Sequence, residues 1–318
     1  GVVYSAETLT RLAELLADDG HTVHTFGLEK LGELPGAEGE DCLDGIALAD
    51  CVVLPLPAAG EGSLLNAPLA AGYHPLAEIL NALRPGQVLC AGMVSGALTD
   101  MASERGLLLH DYFRREELAV ANAVPTVEGA VQIAMEELPI TLHRARALVI
   151  GYGRLGKLLA HRLSALGARV SVAARKYVDL AWIEAFGYGV EHTGQLEGWL
   201  CGYDLVINTV PARILGEEAL ADLRPGCLVI DLASKPGGVD FEAAARLGVK
   251  VIWALSLPGK VAPITAGQSI KSTIYNILHE LGGGIWNKSE LGMPSAAPFV
   301  HMTGLWQPWN RSGPASGT

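Results

Sequence analysis

Residues 147–175 read ALVIGYGRLGKLLAHRLSALGARVSVAAR, and this stretch decides the fold of the chain. It predicts a strand, a glycine turn, a helix and a second strand in one unbroken run. Gly151 permits the tight turn, Gly153 lets the backbone approach a pyrophosphate, and Gly156 lets the helix pack close to the strand. We therefore predict a dinucleotide-binding βαβ unit. The alternative is a glycine-rich turn with a purely structural role.

The end of the second strand indicates which dinucleotide binds. An NAD site usually has Asp or Glu there to bind the ribose 2′-hydroxyl, whereas this chain has Arg175 and Lys176. Two cations and no acid suit a 2′-phosphate, so we predict NADP and keep NAD open. The alternative is that both residues are solvated charges at the end of a strand.

The composition sets the class of protein. A chain of 318 residues exceeds what one core usually fills, and 50% hydrophobic with 18% charged residues indicates well-packed domains. The net charge of −11 disfavours nucleic acid as a partner. The five cysteines include no CxxC pair, which favours a reduced cytoplasm and no metal site. No apolar stretch approaches the length of a membrane span, so we expect a cytoplasmic protein that does not bind a membrane.

Before the glycine turn, strands alternate with helices. The predicted strands lie at residues 2–4, 23–26, 51–54, 88–91 and 107–109, and the predicted helices at residues 5–20 (capped by Ser5), 75–83 and 96–105, with a loop at residues 32–44. This alternation predicts a parallel sheet covered on both faces. We assign residues 1–122 to a flavodoxin-like or Rossmann-like substrate domain.

The dinucleotide domain is predicted over residues 123–265. A long helix at residues 125–143, which Pro139 should bend or break, leads into it. Further strands are predicted near Val190 and at residues 205–209, 228–232 and 249–254. A last helix, residues 266–282, is expected to return onto the first domain. The predicted fold class is α/β, with two Rossmann-like doubly wound parallel-sheet domains and a cleft between them.

Four further stretches carry a resemblance to a known family. They are VPTVEG at residues 124–129, INTVP at 207–211, DLASKPGG at 231–238 and LPGKVAPITAG at 257–267. In this order around the glycine turn they resemble the dipicolinate synthase A subunit of spore-forming bacteria. More distantly, the layout is similar to adenosylhomocysteinase, alanine dehydrogenase and the D-2-hydroxyacid dehydrogenases.

The resemblance implies an oxidoreductase chain that acts in sporulation. Its substrate would be a small dicarboxylate, a dihydrodipicolinate formed by loss of water from the 4-hydroxy-tetrahydrodipicolinate of the lysine (diaminopimelate) branch. The product would be dipicolinate, pyridine-2,6-dicarboxylate, with hydride passing to NADP⁺. The family also implies a flavoprotein-like second subunit, the B subunit of dipicolinate synthase, and we expect a homo-oligomer.

The expected cofactor residues lie at the carboxyl ends of the strands, where open α/β sheets bind ligands. They are Gly151, Gly153, Arg154, Leu155 and Gly156 for the pyrophosphate, Arg175 and Lys176 for the 2′-phosphate, Asn208, Thr209, Val210 and Pro211 for the nicotinamide ribose side, and Ala233 and Ser234 next along the same edge.

Two carboxylates on a substrate demand cations or hydrogen-bond donors. We expect Lys235 and Lys260, in glycine-proline loops at the cleft, to supply the cations, and Thr126 and Thr265 to donate. For Lys260, a solvated loop charge is the alternative. Asp231 ends a buried strand and is expected either to orient Lys235, to take a proton, or only to cap the following turn.

Other polar residues give weaker signals. His192 near a strand end is interpreted as a surface histidine, and His74, His110 and His143 have no partner at catalytic or metal-binding spacing. Glu61, in a glycine loop, is expected either to face the cleft or to lie in a mobile surface loop.

The chain departs from the family after Gly284. Residues 283–318 are rich in Gly, Pro and Ser but contain Trp286, Trp306 and Trp309, so we expect this extension to dock on its own chain or a neighbouring protomer, or to be passive. Two other functions stay open. One is another NADP-dependent dehydrogenase of 2-hydroxy or 2-amino acids, and the other is a non-catalytic NADP-binding regulatory subunit.

Overall fold

The structure, a computed structural model, describes residues 6–282, with side chains from residue 8 onward. The strand predicted at residues 2–4, the cap at Ser5 and the extension 283–318 lie outside the described residues. The α-helices are α1 (Ala6–Asp18), α2 (Leu76–Ala82), α3 (Gly96–Glu104), α4 (Glu116–Glu137), α5 (Arg154–Ala165), α6 (Tyr177–Ala185), α7 (Glu217–Ala221), α8 (Phe241–Leu247), α9 (Leu257–Val261) and α10 (Pro263–Gly282).

The strands alternate with these helices along most of the chain. They are β1 (Val23–Phe26), β2 (Ala37–Glu40), β3 (Cys51–Val53), β4 (Val88–Ala91), β5 (Leu108–Asp111), β6 (Arg146–Ile150), β7 (Arg169–Ala174), β8 (Gly189–His192), β9 (Leu205–Asn208), β10 (Leu228–Asp231) and β11 (Lys250–Trp253). Short 3-10 helices lie at Glu29–Leu31, Ile46–Leu48, Glu61–Ser63, Tyr112–Arg114 and Leu200–Gly202.

The glycine turn belongs to a six-stranded parallel sheet of order β11-β10-β9-β6-β7-β8. The chain winds outward from β6 in both directions, which is the doubly wound order of dinucleotide-binding domains. One face of the sheet buries its apolar residues against α4 and α5, and the other face against α7 and α8. The predicted α/β class with parallel sheets is confirmed.

The first half of the chain also forms parallel sheets. Strands β3, β4 and β5 make one sheet, and β1 pairs with β2. The prediction of a loop over residues 32–44 was wrong in part, because β2 lies inside it. This strand, Ala-Glu-Gly-Glu, has no apolar alternation and is defined by its backbone pairing with β1, so the side-chain pattern could not reveal it.

Helix α4 differs from its prediction mainly at its start. It begins at Glu116 rather than Pro125, and it ends at Glu137, just before Pro139, where a break was expected. Pro125 lies inside the helix with its side chain buried, although a proline there offers no backbone N–H for the helical hydrogen bond. The helix is also long and apolar enough to span a membrane, contrary to expectation, but it packs in the protein core against α5, α9 and α10.

Helix α10 packs on α1, at the other end of the described chain. Lys271 of α10 donates a hydrogen bond to Asp19 at 2.7 Å, and the hydroxyl of Tyr275 donates to the same carboxylate at 2.7 Å. Burial raises the pKa of Asp19, but these two donors outweigh it and leave the pKa below its ordinary value. An apolar cluster beneath them joins Leu12 of α1 to Ile270 and Ile274 of α10.

Candidate functional site

The candidate site lies where the winding of the six-stranded sheet reverses, between β6 and β9. Open α/β sheets bind ligands outside the carboxyl ends of the strands at this point. The turn after β6 brings the three glycines there, and the loop after β9 brings residues 208–211. The hydroxyl of Thr209 donates to the carbonyl of Ile150 at 2.8 Å, which ties the two segments together.

The three glycines meet different surroundings. Gly151 has φ +101°, and a Cβ there would collide with Thr209 Oγ1 and Val210 Cγ2. A Cβ at Gly156 would collide with the carbonyl of Gly151, so α5 can pack this close to β6 only with glycine. A Cβ at Gly153 would meet no heavy atom within 4 Å. The backbone at Gly153 is therefore open to a ligand.

The N-terminus of α5 follows directly. The N–H groups of Arg154, Leu155 and Gly156 lie in the first turn and therefore have no intrahelical partner. Gly153 is the N-cap and has no side chain that could accept from them. Arg154 is exposed and pairs with Glu116 of α4 at 3.4 Å. This arrangement can bind an anion such as a pyrophosphate.

Arg175 and Lys176 follow β7 and are both exposed. Neither side chain forms a hydrogen bond or an ion pair within residues 6–282. The strand ends in the buried residues Ala173 and Ala174, so no carboxylate stands where an NAD site would have one. The two cations are free to bind a phosphate.

A buried pair of polar side chains joins β9 to β10. Asn208 donates to Asp231 at 2.8 Å, and both residues are fully buried. Asp231 also accepts from the backbone N–H groups of Ala233 at 3.0 Å and Gly238 at 2.8 Å. Asp231 therefore fixes the loop of residues 231–238. The expected contact between Asp231 and Lys235 is not formed in the described part of the chain, because donors from the protein interior occupy the carboxylate and Lys235 is exposed.

Asn208 likewise fixes the loop that follows its own strand, β9. Its amide group donates to the carbonyl of Val210 at 3.0 Å and accepts from the N–H of Val210 at 3.2 Å. The side chain expected to line the nicotinamide ribose is thus enclosed, whereas Pro211 is exposed. Farther along the edge, Ala233 is buried and its carbonyl accepts from Trp253 Nε1 at 2.9 Å, and Ser234 is exposed.

The structure does not link the expected substrate residues to one another by hydrogen bonds or ion pairs within residues 6–282. Lys260 lies in the short helix α9 rather than in a loop, and it is exposed. The hydroxyl of Thr126 donates to the carbonyl of Asn122 at 2.7 Å, so its proton is already used. Thr265 is exposed in the first turn of α10, and Lys235 is exposed in the loop after β10.

The sequence did not predict three features of the structure. His192 contacts the backbone of Arg175, which only the pairing of β7 with β8 could reveal. Asp111 accepts backbone hydrogen bonds from Met93 and Val94 at 3.1 and 3.0 Å and so fixes the turn after β4. His24 lies 2.9 Å from Glu40 and 3.8 Å from Glu38, close enough for the three side chains to hold a metal ion.

Two pockets are found in the described part of the chain, one in the first half and one beside the glycine turn. Glu61 lines one of about 460 Å³ with Lys30 and Asn66. The other, of about 410 Å³, is lined by Tyr152 of the glycine turn with Lys157 and Trp182 among others. Burial raises the pKa of Tyr152.

Two of the histidines left unassigned are partly enclosed. His74 and His110 each have a buried Nε2 without a hydrogen-bond partner in the described residues. Burial, followed by the charge of Arg115, lowers the pKa of His110. Both lie in the first half of the chain, away from the glycine turn.

Comparisons with known proteins agree with this architecture. Residues 10–113 match the family described as the N-terminal domain of the dipicolinate synthase A subunit, and residues 118–298 match the alanine dehydrogenase/PNT C-terminal domain. A curated relative, the dipicolinate synthase A subunit of Bacillus subtilis (strain 168), is 38% identical over 194 residues. That alignment covers 61% of this chain and 65% of the relative, which is less than two thirds of its length.

Solved structures extend the likeness over most of the chain. The A chain of dipicolinate synthase from Bacillus subtilis is 30% identical with a TM-score of 0.78, covering 87% of this chain and 94% of that one. The corresponding protein from Bacillus halodurans is 28% identical with a TM-score of 0.78, covering 87% and 96%. An L-alanine dehydrogenase, at 18% identity, TM-score 0.56 and coverage of 88% and 86%, shares the fold alone.

Proposed function

We propose that this chain, which belongs to the dipicolinate synthase A-subunit family, is an NADP-dependent oxidoreductase chain that forms dipicolinate. The observation that carries the proposal is the glycine turn at the reversal point of the sheet, followed at the end of β7 by two cations that are unpaired in the described residues. Membership of the alanine dehydrogenase/PNT group supports binding of NAD or NADP. The choice of NADP rests on Arg175 and Lys176.

The residues present fit the cofactor. Gly153 is open, the N-terminus of α5 has N–H groups without intrahelical partners, and Gly151 and Gly156 hold the turn in shape. When bound, NADP⁺ supplies a hydride acceptor. Asn208 and Asp231 are positioned to shape the loops on the nicotinamide side, since together they fix residues 208–210 and 231–238.

The proposed reaction converts a dihydrodipicolinate to the aromatic pyridine-2,6-dicarboxylate. A ring C–H bond breaks and its hydrogen leaves with both electrons as hydride, and one further proton is lost to solvent or to a base. Formation of the aromatic ring supplies driving force, so the protein must mainly orient the ring carbon. We assign the two substrate carboxylates to Lys235 and Lys260, with Thr265 as a hydrogen-bond donor; the hydroxyl of Thr126 already donates to Asn122.

A partner and a setting complete the proposal. We assign the chain to the cytoplasm of a sporulating cell, as a homo-oligomer with a flavoprotein-like second subunit, following the likeness to the Bacillus subtilis protein. A second candidate is a non-catalytic NADP-binding regulatory subunit. It is favoured by one observation, that Asp231 is enclosed by donors and is not free to take a proton from a substrate.

One assay separates the two candidates. The purified chain is mixed with NADP⁺ and freshly generated 4-hydroxy-tetrahydrodipicolinate, with and without the flavoprotein-like second subunit, and the ultraviolet absorbance of dipicolinate and of NADPH is followed. We expect both products to rise in equal amounts. Tight NADP binding without product under either condition would favour the regulatory candidate. Lys235→Met should raise the KM for substrate, whereas Lys176→Met should raise only the KM for NADP⁺.

A further inference from the structure

His192 ends β8, directly beside the turn that we assign to the 2′-phosphate. Strands β7 and β8 are paired in register, with Ala174 opposite His192, and the N–H of Thr193 donates to the carbonyl of Ala174 at 3.2 Å. Arg175 is the next residue after Ala174. The ring of His192 is therefore placed against the backbone that carries the Arg175 side chain.

The ring of His192 contacts two backbone groups. The N–H of Gly194 donates to Nδ1 at 3.2 Å, and Nε2 lies 3.3 Å from the carbonyl oxygen of Arg175. Because a backbone N–H can only donate, Nδ1 is the acceptor, and the ring proton is on Nε2. With Nε2 as the donor to the carbonyl of Arg175, the ring of His192 joins the ends of the two strands.

Tyr177 adds a further contact on the same turn. Its ring stacks on His192 with the centroids 6.3 Å apart and the planes at 30°. Residues 174–177 are consequently held at three points by His192 and Thr193, while the guanidinium of Arg175 stays unpaired within the described residues. The base of the Arg175 side chain is fixed, and its charged end is free.

We propose that His192 is a positioning residue that increases the preference of Arg175 for NADP over NAD. By fixing the carbonyl of Arg175, it sets the direction in which the guanidinium leaves the backbone, which reduces the entropy lost when a phosphate binds. NAD has no 2′-phosphate, so its affinity does not depend on the direction of the Arg175 side chain. The inference rests on the proposed function, in which the turn after β7 binds the 2′-phosphate.

The test measures dissociation constants for NADPH and NADH by fluorescence titration of the full chain. The variants are His192→Ala, His192→Gln, which keeps a terminal N–H donor for the Arg175 carbonyl, and Arg175→Ala as the reference. His161→Ala, at an exposed position on α5, is the matched control. Circular dichroism and the thermal midpoint establish that each variant is folded.

We expect His192→Ala to weaken NADPH binding roughly fivefold, about the cost of ordering one further side chain on binding, and to leave NADH binding unchanged. His192→Gln should restore most of the NADPH affinity. Two results would overturn the role of His192 without affecting that of Arg175. One is an equal loss of affinity for NADPH and NADH in His192→Ala. The other is unchanged NADPH affinity in His192→Ala while Arg175→Ala abolishes the preference for NADPH. If the wild-type chain binds NADPH no better than NADH, the proposed cofactor itself is wrong.

Discussion

Arg175 is the residue on which the proposed choice of NADP rests. It stands where an NAD-binding strand would end in a carboxylate, and its guanidinium has no partner in residues 6–282. The sequence alone could point to this position, because the residue type at the end of one strand is a local feature; its role in binding a phosphate stays a prediction. Its neighbour His192, 17 positions later in the chain, could not be identified in this way, because only the pairing of β7 with β8 brings the two together.

Replacement of Arg175 should separate the two cofactors. We expect Arg175→Ala to raise the dissociation constant of NADPH about 10- to 100-fold, since a charge-assisted phosphate contact is lost, and to leave that of NADH nearly unchanged. Arg169→Ala is the matched control, because Arg169 is exposed at the opposite end of the same strand. Equal losses for both cofactors in titration calorimetry would refute the assignment.

Two glycines of the turn should respond differently to the same substitution. Gly156→Ala places a methyl group against the carbonyl of Gly151 and should lower the free energy of unfolding by roughly 1–3 kcal/mol. The added methyl group of Gly153→Ala meets open space, so this variant should leave the free energy of unfolding nearly unchanged while weakening the binding of the dinucleotide. Urea denaturation and cofactor titration of both variants measure this, and equal stability of the two would contradict the packing described.

At the scale of elements, backbone pairing and burial decide what the sequence pattern leaves open. The amphipathic helix α5 and the apolar strand β4 could be predicted closely, because their residues repeat with the period of the element. Strand β2 could not, since its pairing with β1 uses backbone groups only. The start of α4 was placed too late because Pro125 resembles a helix boundary, whereas Glu116 and Glu117 form the actual first turn.

The loop of residues 231–238 should lose its shape if the carboxylate of Asp231, which holds it by hydrogen bonds, is replaced. Asp231→Asn replaces an acceptor oxygen by an NH₂ group that faces other donors, so we expect a loss of about 1–3 kcal/mol in the free energy of unfolding and weaker NADPH binding. Asp100→Asn, on the exposed surface of α3, is the control and should change little. An unaltered thermal midpoint for Asp231→Asn would argue against the role of this carboxylate.

At the scale of the whole molecule, α10 returns from the dinucleotide sheet to α1 and contacts α4 and α9 on the way. The contact depends on Asp19, which accepts from Lys271 and Tyr275. The two-domain layout predicted a returning helix. The sequence could not show that one carboxylate would bind two residues about 250 positions away, since no local pattern records such a pair.

This contact should make stability depend on pH. The pKa of Asp19 is lowered in the folded chain, so its contribution is complete above the unfolded pKa near 3.8 and is lost as pH falls through the folded value. We expect Asp19→Asn to cost about 1–2 kcal/mol at pH 7 and progressively less in acid. Asp18→Asn, at the exposed neighbouring position, should cost little at any pH. Urea denaturation at several pH values measures the difference, and a constant cost across this range would contradict the assignment.

The packing of α10 on α1 also determines when the first domain can finish folding during synthesis. Leu12 leaves the ribosome well before its partners Ile270 and Ile274, which are made only near the end of the described chain. At ordinary rates of translation this is a delay on the order of ten to fifty seconds. Throughout that time the nascent chain presents the apolar face of α1 to the cell, and a chaperone that binds such faces has its target there.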